Sequence, residues 1–145
     1  MPYHPMSETE VRDFLSALPA RTGKLATVCR DGRPHVAPVW FDLDDDGALV
    51  FNTGVATVKG RNLAREGRAA MCVDDDRPPF SFVTVEGGVE ILTDLGEVRR
   101  WATRIGGRYM GADRAEAYGE RNGVEGELVI RLHPDKVISA ADLAE

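Results

Sequence analysis

Residues 53–68, TGVATVKGRNLAREGR, decide how the rest of the chain is read. They follow an apolar run, ALVF at 48–51, whose length and composition predict a strand. The segment then carries Lys59, Arg61, Arg65 and Arg68 with a single acid, Glu66, among them. A short helix fits this stretch, with Gly67 where a chain leaves its last helical turn. The helix start combines free backbone N–H groups, a hydroxyl from Thr53 or Thr57 and nearby cations. That is the chemistry of a phosphate site. A solvated helix face has the same composition, so local sequence leaves both readings open.

The surrounding chain is acidic, with a formal charge of -6, which makes a local cluster of cations more telling and argues against nucleic acid as a partner. One hundred and forty-five residues suit one domain, 1–145, with a real core. No apolar run reaches the length of a membrane span, and MPYHPMSETE lacks the basic-then-apolar order of a signal peptide, so a cytoplasmic location is expected. Cys29 and Cys72 stand far apart in strand-like runs and fit no metal or redox spacing. They are expected as buried thiols in a reducing compartment.

Outward from the central segment, strand signals dominate. Upstream, S-x-x-E at 7–10 predicts a capped helix with Val11, Phe14, Leu15 and Leu18 on one face, stopped by Pro19 and packed as a lid on a sheet. Residues 24–30 and 33–43 read as a hairpin through Asp31-Gly32. Pro34 and Pro38 cannot donate to a ladder, so this second run is an edge, a bulge or an end of pairing. Asp44, Asp45 and Asp46 lack the alternation and distant Glu of a calcium loop and read as a turn. Downstream, 69–73 is a strand ending in acids, and 80–92 is a long strand with a bulge or bend at Gly87-Gly88. Asp94 opens a helix through Met110 that Gly106-Gly107 weakens at its end. Residues 113–118 add a helical turn, 125–132 a last clear strand, and 136–138 a brief pairing. About six strands, with helices after the third and fifth, predict a mainly β fold: a six-stranded antiparallel split β-barrel with peripheral helices.

No catalytic motif stands out. His4, His35 and His133 share no metal spacing, so no metal is expected. There is no nucleophile elbow, no P-loop and no dinucleotide fingerprint. His35, beside prolines in a strand, reads as a packed or edge histidine. Catalytic residues are thus not identifiable, as is usual where a bound cofactor carries the chemistry.

Three segments together are distinctive: LATVCRDGRPHVAPVWF (25–41), LVFNTGVATVKGRNLAREGRAAMCV (49–73) and PPFSFVTVEGGVEI (78–91). In D-G-x-P-H-V-x-P-V-W, T-x-x-x-x-x-K-x-R-N-L and P-x-x-x-V-x-V-x-G, the chain resembles the split-barrel flavin-binding superfamily related to pyridoxamine 5′-phosphate oxidase. Within it, the chain looks most like the small actinobacterial branch that uses the deazaflavin F420. The resemblance covers roughly residues 22–140. Its R-L-H-P at 131–134 matches the substrate-gripping segment of the oxidases only superficially, since a further segment follows.

The resemblance implies an oxidoreductase that uses F420, or alternatively FMN, to pass hydride to a small unsaturated or quinone-like molecule. A non-catalytic module binding F420, FMN or haem is the reading from another class. By the same resemblance, Val36, Pro38, Val39 and Trp40 line the cofactor ring. Asn52, Thr53, Thr57, Val58, Lys59, Arg61 and Asn62 hold the ribityl chain and phosphate. A homodimer with cofactor at its interface is implied, with Arg77, Pro78 and Phe80 approaching the partner's cofactor. Arg65 and Arg68, with Lys24 and Arg30, are candidates for an acidic cofactor tail.

Overall fold

The computed structural model describes residues 4–145; the first three residues of the MPYHPMSETE stretch lie outside it. Eight strand segments form one curled antiparallel sheet: β1 Gly23–Val28, β2 Pro34–Val39, β3 Asp42–Leu43, β4 Leu49–Gly54, β5 Arg68–Asp75, β6 Ser81–Leu92, β7 Glu127–Leu132 and β8 Lys136–Ala140. Their order is β2-β1-β5-β6-β7-β4-β3, and β8 also pairs with β6. The expected count of six becomes eight because the 33–43 run is broken into β2 and β3, and the brief pairing expected at 136–138 is a strand of its own, β8. Only Trp40 and Phe41 separate β2 from β3, so one length of chain joins the two ends of the strand order. β7 and β8 likewise lie end to end along β6. The result is the expected mainly β split barrel.

The break between β7 and β8 has a visible cause. Leu132 faces Val89 and Lys136 faces Glu86, so β7 and β8 spend one residue more than β6 does. This bulge turns the His133 carbonyl onto Gly87, where a Cβ would sit 1.8 Å from that oxygen. Asp135 Oδ2 accepts the Gly88 N–H at 2.9 Å and restores the bond the ladder loses there. The extra residue is therefore on the strand opposite the glycines, and the glycines make room for it.

Four α-helices surround the sheet: α1 Glu8–Ser16, α2 Val58–Glu66, α3 Leu95–Met110 and α4 Ala115–Asn122. Ser7 and Glu10 form the predicted capping box on α1. The helix ends at Ser16, earlier than expected, and Leu18 falls off the apolar stripe to stand 72% exposed. The residue before a proline is driven out of helical geometry, which ends the helix short of Pro19. α3 runs through Gly106-Gly107 to Met110 because α4 packs on it there, with Tyr118 against Gly106. The helical turn expected at 113–118 is a 3₁₀ turn, Ala112–Arg114, followed by the full helix α4.

β4 explains why the ALVF run carries no alternation. Leu49 and Phe51 point into the barrel with Leu25, Met71, Val85 and Ile130, under a cover of Leu15 from α1. Val50 points outward beneath α3, where it meets Val98, Trp101, Ile105 and Val129. Both faces are dry, so both carry apolar side chains. Arg108 of α3 ties the layers: its guanidinium donates to the carbonyls of Phe41 and, at 2.7 Å, Leu15, and it pairs with Asp42 at 3.4 Å. Cys29 and Cys72 are free thiols and only half-buried, not buried as expected: Cys72 faces the outside of the sheet, and Cys29 lies past the end of β1, where its sulfur accepts from Asn62 Nδ2 at 3.5 Å.

Candidate functional site

The end of β4 and the start of α2 form the strand-to-helix turn expected within residues 53–68. Thr57 is the N-cap of α2, and its Oγ1 accepts the Gly60 N–H at 3.0 Å. The same oxygen donates to the Gly54 carbonyl at 2.8 Å and lies 3.0 Å from Thr53 Oγ1. Since the Thr57 proton goes to Gly54, Thr53 is the donor of the pair. Both hydroxyls are thus engaged in holding the turn. What the turn presents outward are the Val58 and Lys59 N–H groups, which have no acceptor within a helix first turn, and the Lys59 ammonium. Gly60 permits this close seat: a Cβ there would lie 2.2 Å from the Gly54 oxygen. At the far end Gly67 adopts φ 67° and returns its N–H to Leu63.

A cavity of about 380 Å³ opens at this helix terminus and runs to the end of β2. It brings together Pro38, Val39, Trp40, Asn52, Thr53, Thr57 and Lys59, seven of the residues predicted for the site. Trp40 is held in place by stacking on Tyr109, with centroids 5.1 Å apart and planes 4° from parallel, and by a tilted contact with Tyr118. Tyr109 is fixed in turn: it accepts the Phe41 N–H at 3.2 Å and donates to the Arg21 carbonyl at 2.6 Å. Burial pushes its phenol above the ordinary value. An aromatic wall therefore faces a cationic helix terminus across one cavity.

The other predicted residues lie elsewhere. Val36 stands on the outer face of β2, 64% exposed. Val58 and Arg61 line a separate open hollow with Arg30, Arg33 and Arg65 on the other side of α2. Asn62 borders that hollow but is itself buried, donating to Thr27 Oγ1 at 3.1 Å and accepting from Arg65 at 3.0 Å. Arg77 borders a third hollow with Arg21 and Lys24. Its backbone N–H, 3.1 Å from Asp75, is the main reason that carboxyl is held below its usual range. Pro78 and Phe80 follow in the same turn, outside the cavity. The cations of α2 are likewise divided. Arg65 is committed to the Val28 carbonyl and Glu66, and on β1 Lys24 is committed to Asp74 at 2.7 Å.

Sequence reasoning missed the helical wall of the cavity, which is Ala102, Ile105 and Gly106 of α3 with Asn122 of α4. It also missed Glu127, the first residue of β7, whose register opposite Gly54 was not visible without the pairing. Glu127 Oε2 is buried and has no hydrogen-bond partner among the described residues. Burial raises its carboxyl above the ordinary value, and the Lys59 charge opposes that rise. Among the described residues no His, Cys, Asp and Glu cluster is arranged to hold a metal, and no helix is long and apolar enough to cross a membrane.

A family model described as pyridoxamine 5′-phosphate oxidase matches residues 7–140. A pyridoxine/pyridoxamine 5′-phosphate oxidase of Rhizobium leguminosarum is 38% identical over 88 residues, 61% of this chain and 42% of the relative. A 5a,11a-dehydrotetracycline/5a,11a-dehydrooxytetracycline reductase of Streptomyces rimosus is 35% identical over 85 residues, 54% of this chain and 60% of the relative. The chain thus matches less than two thirds of the length of either. Among solved structures, a conserved hypothetical protein of Mycobacterium tuberculosis superposes with a TM-score of 0.80 at 27% identity, covering 93% of this chain and 84% of the other. An F420 reductase superposes with a TM-score of 0.64 at 29% identity, covering 81% and 89%.

Proposed function

Because the chain belongs to the pyridoxamine 5′-phosphate oxidase family, we propose that it is an oxidoreductase whose 380 Å³ cavity holds a flavin-type cofactor, F420 in the first reading. The observation that carries this is the cavity's two unlike ends. A flat aromatic ring needs an apolar wall, and Trp40 with Pro38 and Val39 supplies one. A phosphate needs fixed donors, and the Val58 and Lys59 N–H groups with the Lys59 ammonium supply them. The residues present therefore fit such a group. Bound in its reduced form, F420 would supply a hydride; the chain's own residues would orient the ring, hold the phosphate and keep water from the buried side.

F420 is favoured over FMN by the likeness to an F420 reductase at 29% identity. The reductase relative, named for a dehydro-compound, favours a small unsaturated substrate. FMN remains the alternative, favoured by the relatives named as pyridoxine/pyridoxamine phosphate oxidases. A homodimer with the cofactor at its interface belongs to the same reading, as does a reducing cytoplasm in which Cys29 and Cys72 stay thiols.

Side-by-side titration with F420 and FMN tests the reading through tryptophan fluorescence. Trp40 lines the cavity whereas Trp101 is 1% exposed in the second core cluster, so the quenching is expected from Trp40 and is lost in Trp40→Phe. Saturation by F420 below the FMN concentration supports the first reading. The reverse order makes this an FMN protein, and absence of binding by both removes the cofactor reading.

A further inference from the structure

The anion end of the cavity holds a carboxylate as well as a cation. Glu127 faces Gly54 across the β4–β7 ladder, and its Oε2 sits beside the cap of α2. A Cβ built on Gly54 would lie 3.3 Å from that oxygen and 3.3 Å from the Thr57 methyl. The buried oxygen has no hydrogen-bond partner among the described residues. From α2, Lys59 is the charged group facing it. From β2 and the link after it the cavity presents Pro38 and Trp40, from β4 Asn52 and Thr53, and from α3 and α4 Ile105 and Asn122, all uncharged. A carboxylate beside a phosphate-binding helix terminus is chemically odd. It lowers affinity for every anion, and it lowers affinity more for each extra charge the anion carries.

We propose that Glu127 sets the selectivity of this cavity: its carboxylate, beside Lys59 and the α2 terminus, favours a singly charged phosphodiester over a doubly charged phosphomonoester. The inference rests on the anion-site reading above. Lys59 neutralises one negative charge. With Glu127 ionised, a diester leaves one excess negative charge near the helix terminus and a monoester dianion leaves two. To accept the dianion, Glu127 takes up a proton from solvent and becomes a neutral donor to it. A monoester loses its second proton near about pH 6, so the two ligand classes diverge at alkaline pH and converge in acid.

The test uses F420 as the diester and FMN as the monoester, titrated at about pH 5.5 and about pH 8; the tail carboxylates of F420 are ionised at both, so the change with pH reports the phosphate group alone. Calorimetry in two buffers of different ionisation heat counts the protons taken up. The expected result for the unmodified protein is an FMN affinity that falls at least about tenfold relative to F420 between the two pH values. Proton uptake accompanies FMN binding at the higher pH, and Glu127→Gln abolishes both effects. Equal pH dependence for the two ligands, with no proton taken up with FMN, overturns the proposal while leaving the anion site standing. Saturation by neither ligand at either pH overturns the anion-site reading and this proposal with it. The proton count is made on the unmodified chain, so the test does not depend on the variant folding.

Discussion

Lys59 occupies the second helical position of α2, where its ammonium and backbone N–H lie on the cavity side while Arg61, two residues on, faces another hollow. A two-residue step turns a helix by more than half a circle, so a basic run divides between faces. This is why the sequence identified the segment correctly as basic and helical but could not say which cation serves the cavity. Lys59→Ala is expected to weaken cofactor binding by about 1.5–3 kcal/mol, the worth of a charge-assisted hydrogen bond. Calorimetric titration measures it, and an unchanged affinity removes Lys59 from the site. Arg61→Ala, by contrast, is expected to leave that affinity within about 0.5 kcal/mol. Glu127 makes a separate prediction on stability. Burial raises its carboxyl in the folded state above the ordinary 4.5. The folded state therefore holds the proton more tightly than the unfolded chain, and this contribution is full below the unfolded value and lost as pH rises through the folded one. Thermal melts across the acid range are expected to show Glu127→Gln gaining on the wild type as pH rises through that window, then holding a constant lead at neutral pH. A lead that does not change with pH would place the carboxyl in ordinary solvent.

The elements were legible where one force dominates, and illegible where two long-range partners meet. The capping box at Ser7, the Asp31-Gly32 hairpin and the Gly67 helix stop are local, and each forms where the sequence predicts it. Gly87-Gly88 announced a departure from regular pairing, but the sequence put the irregularity on β6. The extra residue is on the β7–β8 side, at a distance in sequence that no local window spans. The cavity wall from α3 and α4 was hidden for the same reason. Ala102, Ile105 and Gly106 read as ordinary helix-core residues until the packing of α3 against β4 gives one edge of that face an opening. Gly87→Ala tests the account of the bulge. Its Cβ meets the His133 carbonyl, a backbone atom that cannot swing aside, so β6 and the β7–β8 junction must part. A loss of about 2–4 kcal/mol is expected in urea denaturation. Gly88→Ala, whose Cβ meets nothing nearer than 3.8 Å, is expected to cost about 1 kcal/mol or less. Similar costs at both positions would contradict the bulge as the reason for the glycine pair.

At the scale of the whole molecule, one sheet face is left without a cover. Leu25, Met71, Val83 and Val85 alternate into the barrel. Their neighbours Ala26, Ala70, Cys72 and Thr84 form an outer surface of small side chains, with Phe82 beside them. Val28 and Val36 continue it as diagonal neighbours across the β1–β2 ladder, 42% and 64% exposed, and Ile138 on β8 extends it beyond β6. Lys24, paired with Asp74 at 2.7 Å, and Glu86 border this apolar centre on the same face, and a flat patch of small residues lets a second sheet approach closely. The proposed homodimer uses this face in a two-fold arrangement, each copy meeting the same patch on the other. Pro38 lies on the outer side of β2 in line with Val36, so the covered face borders the mouth of the cavity. Val36→Glu places a charge on the β2 edge of that face without touching the barrel core. Light scattering is expected to give twice 15.9 kDa for the wild type and 15.9 kDa for the variant, with far-UV circular dichroism unchanged. Cofactor affinity is expected to fall at least about tenfold in the monomeric variant, because the second wall of the site leaves with the partner. A monomeric variant that binds as tightly as the dimer would show that one chain completes its own site. A wild type at 15.9 kDa would mean that this face is covered by something other than its own copy.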